Sequence, residues 1–148
     1  MYKHILVPTD GTKLSARAVR AAVDLAKTCG AKITGVYVIP PYVPPVYAEG
    51  MLYVADIGPQ RHKELMAKAA KKALDALGAE ARRGGVACTG AAPLADQPWE
   101  GILKTARAKR CDLIVMASHG RRGIAGLLLG SETTKVLTHS KIPVLVCR

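Results

Sequence analysis

The chain has 148 residues, a length that suits one domain, 1–148, with a full hydrophobic core. Its hydrophobic content of 49% and mean hydropathy of +0.13 exclude disorder, and no apolar run reaches the roughly 18 residues of a membrane span. The net charge of +11 fits a phosphorylated ligand, whereas a single Trp, five Tyr and no Phe leave few platforms for stacking single-stranded bases.

The opening residues, MYKHILVPTDGT, lack the long apolar core and small-residue cleavage site of a secretory leader. They read as a buried strand, Lys3 to Pro8, turned by Thr9-Asp10-Gly11-Thr12 into a helix. Ser15, Val19, Ala22, Val23 and Ala26 recur at helical spacing as far as Cys29, and Gly30 is a good residue to follow the last turn. Lys32 to Ile39 reads as a second strand. Strand, helix and strand in so short a span form a βαβ unit, so the two strands should be parallel.

Residues 40–59 break this pattern with five prolines. Tyr42, Tyr47 and Tyr53 give the excursion adhesive surface, and a lid or a dimer contact would both explain it. Residues 60–83 then form the clearest helix, with Leu65, Met66, Ala69, Ala73, Leu74 and Leu77 on one face and Gly84-Gly85 behind it. A third strand runs from Val86 to Ala91. Asp96-Gln97-Pro98 opens a helix reaching Cys111, with Trp99, Ile102, Leu103 and Ala106 facing inward. Leu113 to Met116 is a fourth strand, apolar at each position and so buried on both faces. A last helix, Glu132 to Thr138, leads to a final strand, Val144 to Cys147. Five strands alternating with four helices make an α/β fold, a doubly wound parallel sheet.

Between the fourth strand and the last helix lie Gly120, Gly123, Gly126 and Gly130, followed by Ser131-Glu132, residue types that start helices. A strand, a glycine loop and a helix N-terminus make a site for phosphate, because glycine lets backbone approach an anion and the first helical N–H groups point at it. In an open sheet, ligands sit outside the carboxyl ends of strands where the winding reverses. If strands two and three build outward from one side of strand one, strand four returns to its other side. That brings Thr9-Asp10-Gly11 opposite Met116 to Gly120. An acid on one lip and an anion loop on the other suit a nucleotide.

The stretches MASHGRRG and LLLGSETTKVLTHSKIPVLV, with ILVPTDGT at the start, closely resemble the universal stress protein family. The resemblance covers nearly the whole chain and is poorest over 40–59. In the family's nucleotide-binding branch the loop reads Gly, two residues, Gly, nine residues, then Gly followed by Ser or Thr. Gly120, Gly130 and Ser131 match that pattern, and Ala117 replaces its first glycine.

The resemblance implies a flavodoxin-like topology, a cytoplasmic location and a homodimer through the last strand. In one branch it also implies ATP, ADP or AMP as a regulatory ligand, with or without Mg2+. Carried over by position, Asp10 and the Val38 backbone face adenosine, with Pro8, Thr9, Met116 and Ala117 around them. Gly120, Gly130, Ser131 and Thr133 hold phosphates, with Arg121 and Glu132 alongside. A methyl at Ala117 crowds this site, and strain there of roughly 1 kcal/mol, if the position requires φ > 0, would weaken binding about fivefold. On that reasoning Ala117→Gly should bind more tightly.

Each signal has a plainer reading. Asp10 can simply cap the first helix, and His119 can be a loop histidine that packs or bonds to backbone. Arg121 and Arg122 can face solvent. The four cysteines, Cys29, Cys88, Cys111 and Cys147, show no metal-ligand spacing and read as mostly buried thiols. A phospho-acceptor receiver domain needs an acidic cluster after strand one and an aspartate after strand three, where this chain has Gly90-Ala91-Ala92-Pro93. The Gly-x-x-x-x-Gly-Lys-Ser/Thr phosphate loop is absent. Nothing marks a catalytic group or a metal site, so at most slow ATP hydrolysis is expected. The alternatives are a ligand-free dimer acting on an unknown protein partner and, ranked below it, a basic module for nucleic acid.

Overall fold

A computed structural model describes residues 1–44, 56–119 and 129–148. Its elements are β1 (His4–Pro8), α1 (Lys13–Cys29), β2 (Lys32–Val36), α2 (Gly58–Arg83), β3 (Cys88–Ala91), α3 (Pro98–Ala108), β4 (Leu113–Ala117), α4 (Ser131–His139) and β5 (Val144–Cys147). The strands form one parallel sheet in the order β3-β2-β1-β4-β5. Among the described residues, no helix is long and apolar enough to cross a membrane.

Alternation along the strands divides the core into two layers. Ile5, Val7, Ile33, Leu113 and Val115 pack under α1 through Val19, Ala22, Val23 and Ala26, and under α2 through Leu77 and Ala81. On the opposite face, Leu6, Val36, Ile114 and Met116 pack against Ile102, Leu103 and Ala106 of α3 and Val136 of α4. Helices on opposite faces are what a reversal of winding at β1 and β4 requires. The apolar stripe expected on α1 is buried in full. Gly30 closes that helix in the left-handed region at φ 67°, where a β-carbon would be strained.

The face expected for α2 is only half right. Its buried residues are Ala70, Ala73, Leu77 and Ala81, while Leu65 is 38% exposed. The helix has 26 residues, roughly 39 Å at 1.5 Å per residue, against strands of about 17 Å or less. Its first turns therefore overhang the carboxyl end of the sheet. The described roots of the 40–59 excursion meet beside that overhang. The Tyr42 hydroxyl donates to Asp56 Oδ1 at 2.6 Å and the Gly58 amide to the same atom at 2.9 Å, and both hold the Asp56 carboxyl below its usual range. The excursion's proposed role as lid or dimer contact falls on 45–55, outside the described residues, with Tyr47 and Tyr53.

At the opposite end of the sheet, Asp112 accepts from the amides of Lys3 and His4 at 2.8 and 3.0 Å and ties β1 to β4. Burial works against its charge, but the amide donors of His4, Lys3 and Asp112 itself outweigh it and lower its pKa. His4 sends Nε2 to Thr34 Oγ1 at 2.8 Å, and Thr34 in turn meets Thr89 Oγ1 at 3.2 Å. Burial first, then the charge of Lys32, lowers the His4 pKa below 6.5 against the opposing pull of Asp112. The unfolded chain binds this proton more readily than the folded one. The stabilisation is therefore complete above about pH 6.5, the unfolded value, and is lost as the pH falls through the folded value. The urea midpoint should drop between neutral and mildly acidic pH, and His4→Gln should flatten that part of the curve. An unchanged slope in the variant would assign the drop to other groups.

All four cysteines are free, but only Cys111 is buried in full, so the expectation of mostly buried thiols holds for one of them. Burial pushes the Cys111 thiol up to about 11.

Candidate functional site

The two lips of the reversal lie side by side. β1 and β4 pair at Ile5↔Leu113 and Leu6↔Ile114, and carrying that register forward sets Pro8 level with Met116 and Thr9 with Ala117. The Thr9 amide donates to the Val36 carbonyl at 2.9 Å, so β1 ends against β2. Backbone groups of successive strand residues point to opposite edges. Val36 O faces β1, whereas the Tyr37 amide bonds to Ala91 O and the Ile39 amide to Pro93 O on the β3 side. Val38 N–H and C=O consequently face the β1 side, past the end of that strand and over the crevice. The Val38 side chain turns to α3, where it fills the space left by the missing side chain of Gly101.

Beyond Thr9 the chain braces the start of α1. Gly11, at φ 79°, makes the turn. The N-cap is Thr12, whose Oγ1 accepts from the Ser15 amide at 3.2 Å and donates to Asp10 Oδ1 at 2.7 Å; Asp10 Oδ1 also accepts from the Thr12 amide at 3.0 Å. Asp10 thus supports the cap without being it. A cleft of about 530 Å³ runs from this turn between α1 and α2, past Arg20 and Lys72, and neither Ala117, Gly130 nor Ser131 lines it.

On the other lip, β4 is welded to α4. The Ser118 amide donates to Cys147 O at 2.7 Å, and the Ser118 carbonyl receives the Gly130 amide at 2.7 Å. Gly130 is the N-cap and Ser131 the first helical residue, one earlier than the predicted start. The first amides of α4 therefore open toward the end of β4 with no acceptor inside the helix.

Several predicted pocket residues have other duties in this geometry. The Thr133 hydroxyl donates to the carbonyls of Ala117 and Ser118, both at 3.1 Å, and Thr133 is 2% exposed, so it anchors the helix start and has no proton left for phosphate. Glu132 sends Oε2 across to the Trp99 amide at 2.9 Å and Oε1 to Lys135 Nζ at 3.3 Å. It caps α3, whose own N-cap residue Gln97 makes no side-chain capping bond. Met116 is 5% exposed in the α3-side core.

Ala117 also differs from expectation. Among the described residues only Arg110 combines a side chain with positive φ, so Ala117 carries no left-handed strain. By alternation from Leu113 and Val115, its methyl points to the α1 face. Ala117→Gly should therefore leave nucleotide affinity within about twofold and destabilise the strand by about 0.5–1 kcal/mol. Titration calorimetry and a urea midpoint check the pair; a clear gain in affinity would restore the crowding argument. Gly120 and Arg121, with Arg122, Gly123 and Gly126, lie outside the described residues.

His119 meets a neighbouring side chain. Its Nδ1 lies 3.0 Å from Ser118 Oγ, and its Nε2 is buried without a partner.

The family model described as "Universal stress protein family" matches residues 1–148. The chain is 32% identical to universal stress protein MJ0531 of Methanocaldococcus jannaschii, over 100% of this chain and 83% of that protein. It is likewise 32% identical to universal stress protein YxiE of Bacillus subtilis, over the full length of both. Among solved structures, a universal stress protein in complex with cAMP aligns at a TM-score of 0.72 and 26% identity, covering 99% of this chain and 97% of that one. The chain belongs to the universal stress protein family.

Proposed function

We propose that this protein binds an adenine nucleotide as a regulatory ligand at the carboxyl ends of β1 and β4. The observation carrying this reading is the weld of Gly130 to Ser118. It aims the α4 N-terminus at the reversal point, opposite Thr9, Asp10 and the Val38 backbone. Helix amides and glycine backbone suit phosphate, and the peptide groups of Val38 suit the edge of a base. The structural relative in complex with cAMP supports adenosine as the nucleoside.

Of the predicted contacts, Asp10, Val38, Gly130 and Ser131 stay in this proposal, with Gly120 and Arg121 from the loop. The described residues contain no group of three potential metal ligands. A Mg2+ ion, where one accompanies the nucleotide, would come with the phosphates. Binding would change the surface shown to a protein partner in the cytoplasm, without rapid hydrolysis.

Purified protein is denatured, any co-released nucleotide is identified by chromatography, and ATP is titrated against thermal stability. Bound adenine nucleotide, or a melting shift that saturates with ATP, is expected. No nucleotide and no shift at millimolar ATP would sink the reading and favour the ligand-free alternative.

We also propose a homodimer through β5, an edge strand on which Leu145 is 43% exposed. Light scattering should give twice the chain mass, and Leu145→Lys should return the monomer. A wild-type monomer would refute this.

A further inference from the structure

We infer that His119 donates a hydrogen bond from Nε2–H to a phosphate oxygen of the ligand, beside the start of α4. This rests on the nucleotide reading above. Nε2 is buried and has no hydrogen-bond partner. Buried polar atoms of folded proteins are nearly always paired, so an exception requires a reason.

The tautomer follows from counting partners. Ser118 is 2% exposed, and its Oγ lies 3.0 Å from His119 Nδ1. If Nδ1–H donated to Ser118, the hydroxyl proton and the Nε2 lone pair would both be stranded. If the hydroxyl donates to Nδ1, only Nε2–H is left over. The second arrangement strands fewer buried groups, so Nε2 is a donor awaiting an acceptor.

Its position identifies that acceptor. Cδ2, the ring carbon bonded to Nε2, lies 3.8 Å from where a β-carbon on Gly130 would stand. Gly130 caps α4, so the imidazole donor stands next to helix amides that also lack acceptors. The nearby acid, Glu132, is turned to Trp99 and Lys135. An oxyanion satisfies both sets of donors. A bare nucleoside would leave Nε2–H unpaired, so His119 makes the site select phosphorylated ligands.

The full chain, 15N-labelled in its histidine rings, is titrated with inorganic triphosphate while the imidazole nitrogens are followed by NMR. ATP affinity is measured in parallel by calorimetry. The free protein should show the Nε2–H tautomer at His119, and triphosphate should shift that resonance. His119→Asn keeps an amide near Nδ1 but removes the Nε2 donor, and should weaken ATP binding about tenfold. His119→Gln, whose amide nitrogen reaches the Nε2 position, should recover most of the loss. An Nδ1–H tautomer, a resonance unmoved by saturating triphosphate, or wild-type ATP affinity in His119→Asn overturns the inference. The NMR readouts need no variant, so a misfolded substitution cannot decide the result. Triphosphate at His119 without ATP binding would keep this donor and remove the nucleotide reading; ATP binding with His119 unmoved would do the reverse.

Discussion

Gly101→Ala is expected to destabilise the protein by about 1–3 kcal/mol and to weaken nucleotide binding in the same variant. A β-carbon at Gly101 would stand 2.8 Å from both Cγ1 and Cγ2 of Val38 and 3.2 Å from Cβ of Ala95. A long side chain could swing away from such a contact. Val38 is β-branched, stiff at χ1, and cannot turn both methyls aside at once. The strain must pass into its backbone, whose N–H and C=O face the proposed adenosine position. A lower urea midpoint at unchanged slope would report the stability loss, and calorimetry the affinity loss. The partner substitution supplies the control. Val38→Ala removes the two clashing methyls, so the double variant should regain part of the stability that Gly101→Ala alone loses. If the two losses simply add, the contact has been misidentified.

How much of this could be read in the sequence differs between fold and site. The reversal at β1 and β4 was legible as a condition: if strands two and three build outward from strand one, strand four returns to its other side, and the sheet order meets that condition. The stripe on α1 was equally open, because its buried residues recur at helical spacing along the helix. Leu65 misled because periodicity records a face but not where the sheet beneath it stops.

Site residues were legible by type and not by direction. Glu132 fits a helix start in any context; only the fold sets it beside the unfilled Trp99 amide, 33 residues away in sequence. Thr133 likewise turned inward because two carbonyls at the end of β4 lay within reach. For Ala117 a signal was available. Alternation from Leu113 already sends its methyl to the α1 face. His119 had no sequence signal beyond its place in the loop, because a missing partner is visible only once the surroundings are built.

Gly130→Val should reduce nucleotide affinity by more than tenfold, at least about 1.4 kcal/mol, and destabilise the fold as well. The reason is the weld, not freedom of the backbone: Gly130 sits at φ −70° and ψ 156°, which any residue adopts. A β-carbon there would lie 3.2 Å from the Ser118 carbonyl oxygen and 3.3 Å from the His119 α-carbon. Both are backbone atoms and neither can rotate away. Alanine would require a shift of a few tenths of an ångström. Valine adds two methyls in the same confined space, and α4 must retreat from β4. That retreat breaks the Gly130-to-Ser118 hydrogen bond and draws the helix amides away from the ligand together. The expected order of affinity is therefore wild type, then Gly130→Ala, then Gly130→Val, with the urea midpoints in the same order. Loss of stability without loss of affinity would separate the weld from the binding site and move the phosphates away from the start of α4.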